Sequence, residues 1–395
     1  MTSLPSTLIS LIEVVLVLVP ALLSVAYVTV AERKTMASMQ RRLGPNAVGQ
    51  NILFKKQTRF YHTTSYPLVW AINNLNIFSE TKGSLTPSKL YSSLNSPTFI
   101  SLTPEWITGF IDGEGSFGVQ IIKSPLYRTG WTVQASFKID LHKKDLKVLE
   151  AIRCYLGVGD VVSNGPDGIR FRISSLKGFL VLINHLQQYP LITKKQADFI
   201  LWHEIIMIIQ RKEHLSSTGL KAIISRRASL NLGISDELKV AFPETLLVER
   251  PLILDQYIRD PQWLAGFTSA EGCFFINTKK SKEVSVGYQV VLRFQITQHR
   301  RDEELMRSIV NYLGCGNIYS VKSREAIDYC VVKYSDVTEK IIPFFEKHPI
   351  IGVKSQDFTD FCDVALLMKD KKHRTLDGLN QINLIKAGMN KGRIF

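Results

Sequence analysis

Cysteine is scarce in this 395-residue chain: Cys154, Cys273, Cys315, Cys330 and Cys362 stand apart, with no CxxC spacing. An odd, scattered set supports neither a disulfide framework nor a zinc site. Acid is in deficit as well, with 35 Asp and Glu against 49 Lys and Arg and a formal net charge of +14. That imbalance points to a polyanionic partner, either nucleic acid or an anionic membrane surface. Apolar residues make up 45% and charged residues 21%, which excludes a disordered or fibrous protein. The length accommodates two domains of ordinary size with extensions.

Residues 8–31 read LISLIEVVLVLVPALLSVAYVTVA, an almost wholly apolar run of 24. At about 1.5 Å per residue a helix of that length exceeds the roughly 30 Å of a bilayer core. Glu13 and Pro20 interrupt it and require packing against other helices. The basic residues Arg33, Lys34, Arg41 and Arg42 follow the run, where a signal peptide would carry them in front. A transmembrane helix over 8–31 is expected, its basic flank on the non-translocated side. The segments VPALLSVAY (19–27), AERK (31–34) and QRRLGPNAVG (40–49) resemble the start of NADH dehydrogenase subunit 1, a mitochondrially encoded membrane protein. The resemblance covers residues 1–50 and stops abruptly, as in an intron reading frame translated on from its upstream exon. It implies a mitochondrial protein with its N-terminal segment in the inner membrane and the remainder in the matrix after processing. Residues 51–100 are rich in Ser, Thr and Asn without sustained periodicity and read as a linker.

Beyond residue 100 the chain repeats itself. LTPEWITGFIDGEGSF (102–117) lies 157 positions before RDPQWLAGFTSAEGCF (259–274), and the same offset aligns 137–159 with 294–316. Over 104–159, 20 of 56 positions are identical, several times the roughly three that chance leaves. YPLITKKQADF (189–199) matches HPIIGVKSQDF (348–358) at an offset of 159. Two copies of one globular unit therefore stand in tandem, over 101–213 and 257–395, joined by a linker over 214–256. Each copy opens with an N-cap and a proline, Thr103-Pro104 and Asp260-Pro261, which starts a helix. Gly109 and Gly113, and Gly266 and Ala270, lie four apart on one helix face and let two backbones approach closely. Alternating strands follow, with Phe117, Val119, Phe137 and Ile139 (and Phe274, Ile276, Phe294 and Ile296) facing inward. Helices are expected over 144–155 and 301–312, a hairpin at 164–167, and a long helix from Lys195. The fold expected is α+β: two pseudo-symmetric α-β-β-α-β-β-α domains, each an antiparallel sheet with helices on one face.

The segments WITGFIDGEG (106–115) and WLAGFTSAEG (263–272) resemble the LAGLIDADG motif of homing endonucleases, in particular the single-chain, double-motif enzymes of fungal mitochondrial introns. The resemblance runs from 102 to about 390. It implies that the motif helices pack at a pseudo-twofold axis and that Glu114 and Glu271 lie beside the scissile phosphates as metal ligands. Hydrolysis of a phosphodiester needs hard divalent ions, Mg²⁺ being the expected one, to neutralise charge and activate water. Ser269 departs from the pattern where the first copy has Asp112; that position reads as helix-end hydrogen bonding, which serine performs in part. Gln298, with Leu141 opposite it in the repeat, lies by resemblance near the active-site water, so the half-sites are expected to be unequal. Lys195 and Lys354 are aligned and suit stabilisation of the transition-state charge; Lys194 aligns with Val353 and carries less weight. His142 and His299, each three before an aspartate, read as helix-entry residues.

Outward strand positions supply the expected platform for DNA: Ser116, Gln120, Gln134, Ser136 and Lys138 in the first copy, and Cys273, Phe275, Asn277, Lys279, Gln289, Arg293 and Gln295 in the second. Arg and Lys suit guanine, Gln and Asn suit adenine, and the hairpin tips 123–128 and 279–282 add positive charge for phosphates. Two unlike copies imply a monomer reading a long asymmetric duplex. The resemblance implies a staggered double-strand cut, and the exon fragment points to a target in the NADH dehydrogenase subunit 1 gene. An RNA maturase acting on the host intron RNA is the alternative within the family. A membrane-subunit fragment with an inert DNA-binding passenger is the alternative outside it, and a single apolar segment argues against that.

Overall fold

The computed structural model describes residues 100–393, apart from 232 and 322–324. The first half runs α1 (Pro104–Glu114), β1 (Gly115–Lys123), β2 (Trp131–His142), α2 (Leu146–Leu156), β3 (Asp160–Ser163), β4 (Gly168–Ile173), α3 (Leu176–Gln188), α4 (Lys195–Gln210), α5 (Ser217–Ser229) and α6 (Asp236–Ala241). The second runs α7 (Pro261–Glu271), β5 (Gly272–Lys280), β6 (Tyr288–His299), α8 (Glu303–Leu313), β7 (Asn317–Val321), β8 (Ala326–Val331), α9 (Ile342–Lys347), α10 (Lys354–Lys369) and α11 (Leu376–Ala387). The sheets are antiparallel with orders β1-β2-β4-β3 and β5-β6-β8-β7. The α+β class and the two matching sheets are those the repeat implies.

Local signals start the elements as expected. Thr103 accepts from Trp106 N at 3.3 Å and Asp260 accepts from Gln262 N at 2.7 Å, each ahead of a proline in the first turn. Helices α2 and α8 begin two residues later than the sequence suggests, because a 3₁₀ turn precedes each. His142 Nδ1 accepts from Lys144 N (3.2 Å) and His299 Nδ1 from Arg301 N (3.1 Å), so both histidines serve helix entry.

The expected element order is too short. Helix α3 precedes α4, held by Ser175 at its N-cap and by Phe179, Leu182, Ile183 and Leu186 buried at helical spacing. The stretch 214–256, expected as a linker, carries α5 and α6, whose Leu220, Ile223, Ile224 and Leu238 are buried against the first half. Their apolar residues are too few per turn to stand out against a polar segment, and only the surrounding core gives them a partner. Helix α11 is the counterpart of α5. Asn231 and Asn390 end the two at positive φ (50° and 54°), donating to the carbonyls of Phe117 and Phe274.

Each sheet covers its own core, around Phe117, Phe137, Phe171 and Trp202 in one half and Phe274, Phe294, Tyr329 and Phe361 in the other. Burying each such ring contributes roughly 1.5–3 kcal/mol. The motif helices α1 and α7 join the halves. A Cβ on Gly109 would lie 2.0 Å from the Trp263 carbonyl oxygen, and one on Gly266 2.0 Å from that of Trp106, so the two backbones are in direct contact. The membrane helix expected over 8–31 lies outside the described residues, and among those described no helix is long and apolar enough to cross a membrane.

Candidate active site and nucleic-acid interface

Glu114 and Glu271 are the last residues of α1 and α7. A Cβ on Gly113 would meet Ala270 Cβ at 2.3 Å and Glu271 Cγ at 3.2 Å, which sets both carboxylates at one junction. Burial and then the charge of Glu271 push the Glu114 carboxyl up to about 7, against the opposing pull of Lys354 and Lys195.

The lysines stand at the first positions of α4 and α10, half-buried, with their ammonium groups folded back onto the motif helices. Lys195 Nζ donates to the carbonyls of Ile111 (3.1 Å) and Gly113 (2.7 Å), and Lys354 Nζ donates to that of Ala270 (2.7 Å). Each thus reaches a carbonyl that a helix C-terminus leaves open, Gly113 for Lys195 and Ala270 for Lys354, and places positive charge at the negative end of the dipole. Burial lowers both ammonium pKa values, and the neighbouring carboxylates oppose that shift. Lys194 does not join them; its Nζ donates to the Ile253 carbonyl (2.5 Å).

Asp112 is a buried acceptor for the loop before α4. Its carboxylate takes hydrogen bonds from Ile192 N (2.8 Å), Thr193 N (3.2 Å), Thr193 Oγ1 (2.6 Å) and Trp263 Nε1 (2.8 Å). Even so, burial pushes it up to about 6. Ser269 does a smaller version of the same work, accepting from Ile351 N (3.1 Å) and donating to the Ala265 carbonyl (2.8 Å). A cavity of about 450 Å³ opens at Glu114, lined also by Leu141, Asp145 and Lys354. Gln298 holds the strand position in β6 that Leu141 holds in β2, so an amide stands in one half where an isobutyl group stands in the other.

The donor set fits a hard divalent cation. Two adjacent carboxylates repel without a counter-ion, and among the described residues no third His, Cys, Asp or Glu joins them. Mg²⁺ commonly binds one or two protein carboxylates and completes its octahedron with water and phosphate oxygens.

The outer strand faces carry the residues expected there. Ser116 pairs with Lys138 and Gln120 with Gln134, while Ser136 faces Gly118. In the second sheet Cys273 pairs with Gln295, Phe275 with Arg293 and Lys279 with Gln289, while Asn277 faces Val291. Arg293 is braced, its Nη2 donating to Cys330 Sγ at 3.1 Å with Asp328 at 4.0 Å. Gln295 Nε2 donates to Thr297 Oγ1 (2.9 Å), which donates to Asp328 (2.7 Å). Two arginines on β4 escaped the sequence reading: Arg172 opposite Lys138, and Arg170 bidentate on Asp140 at 2.5 and 3.0 Å. The alternation in GIRFRI was the available signal. Asp140, the main acid on the expected face, is thereby neutralised. Lys123, expected to serve phosphates, is engaged by Glu237 (3.0 Å) and lies over the Trp131 ring.

The LAGLIDADG endonuclease family matches residues 107–206 and 264–365, and the NADH dehydrogenase family matches residues 12–58. Probable intron-encoded endonuclease 3 of Neurospora crassa is 39% identical over 301 residues, covering 75% of this chain and 56% of that protein. Probable intron-encoded endonuclease 2 of the same fungus is 37% identical over 326 residues, covering 77% and 71%. Its NADH-ubiquinone oxidoreductase chain 1 is 86% identical over 43 residues, 11% of this chain and 12% of that one. Among solved structures, the LAGLIDADG homing endonuclease I-SmaMI bound to cleaved DNA matches with a TM-score of 0.73 and 43% identity over 74% of this chain and 99% of that one. The chain spans little more than half the length of the first relative and nearly all of I-SmaMI. With both halves matched by one family and the whole repeat superposing on one of its members, the chain belongs to the LAGLIDADG endonucleases.

Proposed function

We propose that the chain is a site-specific endonuclease that cuts both strands of a long asymmetric DNA duplex by Mg²⁺-dependent phosphodiester hydrolysis. The observation that carries this is one carboxylate at each of two repeat-related helix ends, with a half-buried lysine folded onto each helix end. Divalent ions held by Glu114 and Glu271 would neutralise phosphate charge and lower the pKa of bound water. Lys195 and Lys354, fixed by backbone carbonyls, add positive charge where the pentacoordinate oxygens gain negative charge. Gln298 offers an amide to solvent in one half and Leu141 offers none in the other, so the two strands are cut at unequal rates. The related protein I-SmaMI is described bound to DNA in the presence of calcium ions. Two of its lysine-to-alanine variants lie 159 positions apart, the spacing of Lys195 and Lys354.

The outer strand residues named above read bases from the major groove while hairpin lysines hold phosphates. The chain acts as a monomer in the mitochondrion. Residues 1–50 are exon-derived and enter the inner membrane until processing, and 51–100 link them to the nuclease in the matrix. The target is the NADH dehydrogenase subunit 1 gene without its intron. Host intron RNA is a second partner that a maturase would bind, but splicing assistance needs no carboxylate pair, and the pair is intact. The test is incubation with Mg²⁺ and DNA spanning the uninterrupted exon junction that follows the codon for Gln50. A staggered double-strand cut there is expected, and an uncut junction would refute the proposal.

A further inference from the structure

Backbone amides of the loop that leads into each lysine helix are held by side chains from both halves. Before α4, Ile192 N and Thr193 N donate to Asp112 of their own half, and Lys194 N donates to Asp302 of the other half at 2.6 Å. Before α10, Ile351 N donates to Ser269 of its own half, and Val353 N donates to Asp145 of the other half at 2.7 Å. Asp145 and Asp302 are the aspartates that follow His142 and His299 by three, at the same repeat offset.

The exchange is reciprocal and built to fit. Asp302 is 1% exposed, and its Oδ1 also accepts from Gln256 Nε2 (2.8 Å), which donates in addition to the Ile192 carbonyl (3.2 Å). On the other side Gly352 sits at φ +95°, where a Cβ would lie 2.6 Å from Asp145 Oδ1. Only glycine gives that carboxylate room, whereas the equivalent Thr193 donates its hydroxyl to Asp112. The residue after each cross-gripped amide is the lysine of the active site. Asp145, Glu114 and Lys354 line one cavity.

We propose that Asp145 and Asp302 are positioning residues, each fixing the active-site lysine of the opposite half and so assembling each strand's cutting site from both halves. This rests on the function proposed above, in which Lys195 and Lys354 serve cleavage. A carboxylate at the N-terminus of a helix holds that end through its free amides and dipole. Displacing a positioned group by about 1 Å can cost up to a hundredfold in rate. In the second half Ser269 supplies a single own-half bond, so Lys354 depends on Asp145 more than Lys195 depends on Asp302.

The experiment is single-turnover cleavage by the full chain on a duplex labelled separately on each strand, with thermal unfolding and DNA affinity measured alongside. Lys354→Met identifies the strand that Lys354 serves. Asp145→Ala should slow that same strand by about tenfold or more and leave the other within about threefold. Asp145→Asn, whose amide oxygen still accepts from Val353 N, should recover most of the rate. Asp302→Ala should slow the opposite strand. Equal slowing of both strands, tracking a fall in melting temperature, would reduce the aspartates to fold stability and overturn the inference. A slow Lys354→Met beside a normal Asp145→Ala would overturn it alone. A normal Lys354→Met would overturn the role of the lysines and this inference with it.

Discussion

The indole of Trp263 donates to the carboxylate of Asp112 at 2.8 Å, tying the second motif helix to a buried acid of the first. Its repeat partner Trp106 finds no such acceptor, because Ser269 stands where Asp112 would recur, and its buried Nε1 has no partner among the described residues. The pseudo-twofold is broken at this pair. Asp112→Ala would strand the donors of Ile192, Thr193 and Trp263 in a buried site, each costing about 1–3 kcal/mol. Ser269→Ala removes one acceptor and should cost about 1 kcal/mol. Urea denaturation of the two variants checks the order, and a cost for Ser269→Ala equal to that for Asp112→Ala would contradict it.

The closeness of the helices sets a second expectation. Ala at Gly109 or Gly266 would place its Cβ 2.0 Å from a backbone carbonyl oxygen, which cannot rotate away as a side chain can. The helices must separate, and overpacking of this kind costs typically 1–3 kcal/mol. Either substitution should lower the melting temperature by several degrees and also reduce cleavage, since it moves Glu114 relative to Glu271. Full activity at an unchanged melting temperature would show that the helix junction is softer than its geometry.

Much of this was legible in the residues. The repeat offset carried the two halves, the two-residue alternation carried the strand faces down to which of Phe117 and Gln120 is buried, and the glycine spacing carried the helix contact. What escaped depends on partners distant in sequence. Helix α5 has an ordinary polar sequence and is held by the core beneath it. The grip of Asp145 on Val353 spans 208 residues, and its local signature is only that of a helix start. Arg170 and Arg172 were within reach of the alternation in GIRFRI, a signal weakened only by the shortness of the strand.

If Glu114 holds the metal as proposed, metal binding and cleavage should depend on pH. Its folded pKa is raised from 4.5 to about 7 by burial and by Glu271, so the protonated form is favoured in the fold. Without metal, the stability this gives is complete below about 4.5 and is lost as pH rises through about 7. A divalent cation requires the carboxylate, so its affinity should rise between pH 6 and 8 with release of a proton. Single-turnover rates at limiting Mg²⁺ should climb over the same range, and saturating Mg²⁺ should move the midpoint lower. Glu114→Gln and Glu271→Gln should abolish double-strand cutting and leave DNA binding intact, because the strand faces supply the contacts. Calorimetry at two pH values and a plasmid assay test both statements, and a Gln variant that cuts at full rate would exclude the carboxylates from the chemistry.

Readout should be as unequal as the two faces. Ser136 stands where the second half has Arg293, Lys138 where it has Gln295, and Gln120 where it has Asn277. Arg293 is held in place by Cys330 and Asp328, so on the proposed DNA face it would have little rotamer freedom left to lose. A palindrome built from either half-site should bind worse than the natural site, each mismatched base pair costing about 1–3 kcal/mol. Arg293→Ala should relax discrimination at the base pair it faces, within the half-site read by the second half. Lys280 ends β5 at an exposed hairpin, where a cation serves any phosphate. Its replacement by alanine should weaken binding to all sequences alike and reduce the salt slope by about one. A profile of every single-base substitution in the target, taken for wild type and for Arg293→Ala, separates the two behaviours. Altered positions scattered across both half-sites would mean that this face of β6 does not read bases.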